Sequence, residues 1–187
     1  MNYKFAVIAL CISLSIAGKA DFPYGLQLEW NIEGDSITFN FIVPNIQIGP
    51  FGWAGIGFKT LEAGRTMANG DFVAAIFDSG KIEDRFGNPR NSNPPLDEEK
   101  GGMDDLQDKM KDVQDNYTVF SWTRWLDTKD AKDSPLVEGK EYYLLWAVGK
   151  NEGEFIKHHD DAGAIQIVLS NDFSTTEEAH ASFININ

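Results

Sequence analysis

Hydrophobic and polar residues alternate with period two along most of the chain after residue 25. Leu26, Leu28, Trp30 and Ile32 share one parity, with Gln27, Glu29 and Asn31 between them. Ile37, Phe39, Phe41 and Val43 repeat the pattern against Ser36, Thr38 and Asn40. Successive side chains of an extended chain point to opposite faces, so each run predicts a strand with one buried face. Glu33-Gly34-Asp35 between them predicts a hairpin turn. Further strands are expected over 53–58, 71–77, 81–86, 117–126, 141–148 and 164–169, with Asp78-Ser79-Gly80 joining the second of these to the third. Short strands separated by Gly, Asp and Asn turns predict an all-β, antiparallel β-sandwich.

Two stretches depart from this rhythm. Residues 87–115 form one long acidic excursion rich in Pro, Asn, Asp and Lys, with Pro94-Pro95 and Gly101-Gly102 inside it. Within it, Leu106, Met110 and Val113 fall at i, i+4 and i+7, which predicts a short helix over 104–113. The excursion reads first as a solvated insertion and second as a docking loop. At the other extreme, Phe5 to Gly18 is a nearly uncharged apolar run behind Lys4, followed by Gly18-Lys19-Ala20. A run of about fourteen residues is too short to span a bilayer, which needs about twenty. Residues 1–20 are therefore expected to be a signal peptide cleaved after Ala20. Residues 21–187 then form a single domain, with its core over about 26–169 and a polar tail, and the product is extracellular.

Composition narrows the chemistry. The lone cysteine, Cys11, lies in the leader, so the mature chain has no thiol; zinc–thiolate, iron–sulfur and cysteine-nucleophile sites are excluded. The formal charge of −13 becomes −15 on loss of Lys4 and Lys19. Such a surface repels nucleic-acid phosphates and anionic lipid, and no further apolar run predicts membrane insertion. No nucleophile elbow or phosphate-binding glycine loop is present, so no enzyme is expected. Asn116-Tyr117-Thr118 is a glycosylation sequon at Asn116. Trp53 and Trp146 are expected in the core. Trp122 and Trp125 differ by an odd number and should face opposite sides, one of them available to a sugar. Arg124 is expected to pair with a surface acid or a ligand carboxylate.

Several patterns in order resemble the DOMON family: Trp53-Ala54-Gly55-Ile56-Gly57-Phe58, 67–75 (Met-Ala-Asn-Gly-Asp-Phe-Val-Ala-Ala), 80–84, Phe120-Ser121-Trp122-Thr123-Arg124, Leu144-Leu145-Trp146-Ala147-Val148-Gly149, and a late histidine before Gly163. The resemblance implies an immunoglobulin-like sandwich. In one branch the domain is a b-type haem electron carrier serving a separate redox partner. By that resemblance Met67 stands at the position of the methionine ligand, and His159 or His158 at that of the histidine ligand. His159 is favoured by its spacing to Gly163 and by sharing the parity of Ile165, Ile167 and Leu169. The site expected is an apolar cavity between the two sheets. A haem-free branch implies an extracellular binding, adhesion or structural module for a protein or glycan. It would hold calcium or sodium through Asp71, the carbonyls of Phe72 and Arg85, and Asn116 (or Asp115), with Asp84 a further candidate. His180, in the tail, is expected to be uninvolved.

Overall fold

The structure, a computed structural model, describes the backbone of residues 17–87, 94–152 and 155–175 and the side chains of all of these except 152–158. It is all-β. Among the described residues ten strands run in order: β1 Gly18–Asp21, β2 Gln27–Glu33, β3 Ser36–Pro44, β4 Trp53–Thr60, β5 Asp71–Ile76, β6 Ile82–Phe86, β7 Gln107–Val113, β8 Tyr117–Trp125, β9 Glu141–Glu152 and β10 Phe155–Val168. They form two five-stranded antiparallel sheets, β1-β2-β3-β8-β7 and β10-β9-β4-β5-β6. Among the described residues, no helix is long and apolar enough to cross a membrane.

The expected hairpins form in the registers their patterns require. Trp30 pairs with Phe39, and Ala75 with Ile82. The apolar parities of the two sheets meet in a core where Phe39 stacks on Trp122 at 5.4 Å between ring centroids and tilts against Phe58 at 5.5 Å. Burying aromatic faces this way is the dominant stabilising contribution of such a sandwich. Trp122 is buried in that core and Trp125, on the other face of β8, is 50% exposed, as their odd spacing requires.

The excursion departs from expectation. Residues 107–113 are not helical but form the edge strand β7, paired with β8 from Gln107↔Thr123 to Val113↔Thr118 with an irregularity before Met110. The supposed helix face shares no environment: Leu106 is 7% exposed, Met110 56% and Val113 62%. A weak helical period with no core to bury loses to the open hydrogen-bonding edge of β8. Lys109, Lys111 and Asp112 then leave the new edge charged, which discourages further strand addition.

At the opposite edge, Gly18, Lys19 and Ala20 belong to the sandwich although they lie before the expected cleavage point. Lys19 accepts from Thr175 N–H at 3.2 Å and donates its own N–H to Phe173 at 2.8 Å, Ala20 is buried, and a Cβ at Gly18 would meet Trp30 Nε1 at 2.1 Å. A chain starting at Asp21 should therefore be less stable than one starting at Gly18. The loss is about 2 kcal/mol, or roughly 4–8 °C in thermal midpoint; equal midpoints would show β1 to be dispensable.

Candidate functional site

The sheet β10-β9-β4-β5-β6 has an unusual outer face. In β4 the inward positions carry Ala54, Ile56 and Phe58, whereas the outward positions after Trp53 are Gly55 and Gly57. Opposite them, in register, lie Ala147 and Leu145 of β9 and Ala74 and Phe72 of β5. The missing side chains let two rings lie flat on the sheet. A Cβ at Gly57 would stand 2.3 Å from the Phe72 ring, and one at Gly149 would stand 2.8 Å from Trp53. Trp53, Ala74, Ile76 and Ala147 thereby form a second apolar cluster outside the main core.

Above this floor is a pocket of about 650 Å³, its open mouth included. Met67 and Arg65 form one wall, Pro94 and Arg85 another, and His159 and Ala162 a third. The wall carrying Met67 is held firmly. Buried Lys59 donates to Ala68 O at 2.5 Å, Gly70 N–H to Met67 O at 3.1 Å, and Asn69 N–H to Gly87 O at 2.7 Å. At Gly87 a Cβ would come within 1.8 Å of the Met67 carbonyl, so only glycine permits this approach. Opposite, His159 pairs with Gly149 between two irregularities in the β10–β9 register. Bulges of this kind re-aim side chains at sheet surfaces.

Met67 and His159, 92 positions apart in the sequence, thus line one apolar pocket. It lies on the outer face of a sheet, not between the two sheets as expected; the space between them is filled by Phe39, Phe58, Phe120, Trp122 and Tyr142. The His158 side chain lies outside the described residues, as do His180 and most of the leader. Trp146 is in the core, but Trp53 belongs to the outer cluster.

Inside the sandwich, at the pocket's back, acids gather around Arg124. Arg124 Nη1 meets Asp71 Oδ2 at 2.6 Å, and Nη2 meets Asp133 Oδ2 at 3.3 Å. Asp71 also accepts the Ser134 N–H at 2.9 Å. Asp71, Asp84 and Asp133 each offer an oxygen within 4.8 Å of the others. One guanidinium cannot neutralise all three. Burial, reinforced by the charges of Asp71 and Asp133, pushes Asp84 up to about 8. Burial and Asp71 push Asp133 to about 7, and burial with Asp130 and Asp71 pushes Asp97 to about 6.

Of the expected cation set, Asp71 and Asp84 come together, joined by Asp133. Asp71, however, is already paired with Arg124. Asn116 is exposed in the β7–β8 turn, eight residues along β8 from Arg124, or roughly 26 Å. Its sequon partner Thr118 is fully buried and donates to Asn45 Oδ1 at 2.8 Å. Arg124 pairs with buried acids rather than with a surface one. Sequence reasoning passed over Asp133 and Arg65. The small residues at outward parity in β4, β5 and β9 were the available signal for the outer pocket.

A scan against family models matches the DOMON domain over residues 24–149, and the chain belongs to the DOMON family. Among solved structures it is similar to the cytochrome domain of Myriococcum thermophilum cellobiose dehydrogenase. The TM-score is 0.51 at 12% identity, over 92% of this chain and 98% of that one. No curated protein matches the chain.

Asp84, Asp133 and Asp97 hold their protons to higher pH when folded than at the ordinary carboxylate value of 3.8. The folded chain therefore binds more protons than the unfolded chain between about pH 4 and 8, and stability falls as pH rises through that window. Thermal midpoints should decline from pH 5 to pH 8, with a shallower decline in Asp84→Asn. A midpoint that climbs over this range, or an unaltered slope in the variant, contradicts the assignment.

Proposed function

We propose that this DOMON domain is an exported b-type haem-binding module that passes single electrons to or from a separate partner protein, with Met67 and His159 as the residues that would hold the iron. The observation that carries the reading is that a thioether and an imidazole from distant parts of the chain line the same apolar pocket. The residues present fit the group: glycines clear a flat floor, and Trp53 and Phe72 supply aromatic surface. A methionine–histidine pair would supply the ligands suited to one-electron exchange at a haem iron. The likeness to a domain named as a cytochrome domain supports the same reading.

The chain's own part in this is to hold and shield. Lys59, Asn69 and Gly70 fix the backbone around Met67, which lowers the cost of ordering this wall when a ligand binds. Trp53, Phe72 and Leu145 exclude water from the floor. Apolar surroundings of this kind, with the ligand pair, set a potential. The module acts as a carrier rather than a catalyst. The cation reading gains less support, because Asp71 is already paired with Arg124 and Asn116 stands at another end of β8. The haem-free reading, an adhesion or binding module for a protein or glycan, uses the same pocket without a metal.

An absorption spectrum separates these. Protein made in a haem-replete host should show a sharp Soret band, with resolved α and β bands on reduction. Met67→Leu should keep the fold while changing the spin state and lowering the potential, and His159→Ala should lose most of the bound haem. No Soret band after reconstitution, or identical spectra in wild type and both variants, removes the proposal.

A further inference from the structure

The pocket carries two arginines with different surroundings. Arg85 is fully engaged: Nε and Nη2 donate to Glu83 Oε2 at 3.0 and 2.6 Å, and Nη1 donates to Pro94 O at 2.5 Å. Arg65 is not. Its guanidinium carbon lies 4.7 Å above the Tyr143 ring, and among the described residues no carboxylate stands within ion-pairing distance of it. In a chain with 29 acidic against 16 basic residues, an arginine with no acidic partner among the described residues is conspicuous.

Stacking on Tyr143 occupies the face of the guanidinium and leaves its edge, where the N–H donors lie, for a coplanar acceptor. The group is half-buried in an apolar wall, so a pair formed there is less screened than one on open surface. It is also preorganised. Thr60 Oγ1 accepts from Ala63 N–H at 3.3 Å before Arg65, and Lys59 ties Ala68 after it. We infer that Arg65 anchors a carboxylate, and that the pocket selects a flat apolar ligand bearing acid groups along one edge. The identity of that ligand as haem b, whose two propionates fit this class, rests on the function proposed above; the anchoring by Arg65 does not. Arg65 and Met67, two residues apart in one braced loop, then divide the work, one gripping the acidic edge and the other facing the centre.

The test uses probes without iron, so that Met67 and His159 ligation cannot contribute. Metal-free protoporphyrin IX and its dimethyl ester are titrated into the full chain, with quenching of tryptophan fluorescence as the readout. Wild type should bind the free acid about tenfold more tightly than the ester, the worth of one charge-assisted pair. Arg65→Gln should abolish that preference while ester binding persists, which also reports an intact pocket, and Arg65→Lys should retain part of it. An undiminished preference in Arg65→Gln, no preference in wild type, or binding of neither porphyrin overturns the inference. If wild type discriminates acid from ester but yields no six-coordinate spectrum with haem, the haem reading fails and the role of Arg65 stands.

Discussion

One guanidinium ties the two sheets together inside the sandwich. Arg124 projects from β8 of one sheet into the sandwich and grips Asp71, the first residue of β5 in the other. It also reaches Asp133 and the Ser134 carbonyl of the segment that leads towards β9. A buried pair of this kind contributes little net stability over apolar packing. Removing one partner, however, typically costs about 3–5 kcal/mol, because the other is left charged and dry. Here the partners left behind would be several carboxylates that already repel one another. The pair therefore acts mainly as a constraint on geometry. Asp71 directly follows the loop bearing Arg65 and Met67, so the electrostatic knot inside the sandwich fixes where that loop must end outside it.

The same strands serve two purposes because the pleat separates them. Along β4, the parity of Ala54, Ile56 and Phe58 fills the core, while the parity of Trp53, Gly55 and Gly57 makes a floor. Bulky outward residues there would stand off the sheet and fill the pocket. Glycine in a strand interior weakens it, and two in one central strand are tolerated because β4 is paired on both sides, with β5 and β9.

Most of the fold was legible in the sequence because core-facing alternation is a strong local signal. The hairpin of β2 and β3, the β5–β6 turn and the opposite fates of Trp122 and Trp125 all follow from parity alone. What was not legible depends on distant partners. The segment containing Met110 carries only a weak helical period, and its state is decided by the free edge of β8. Arg124 sits between two tryptophans on a strand that reads as amphipathic, and nothing nearby reveals that Asp71, 53 positions earlier, waits across the core. Met67 and His159 were found through the family resemblance. Their shared pocket was expected between the sheets but lies outside the sandwich, where glycines at outward parity mark a place where something flat can rest.

Setting the pocket on the back of a sheet separates two kinds of selective pressure. Substitutions at Arg65, Ala74, Ala147 or Ala162 alter what is held without opening a void among Phe39, Phe58 and Trp122, so they draw on little of the reserve that keeps the chain folded. A sandwich arranged this way can drift from one ligand to another, or to none, through a series of foldable intermediates.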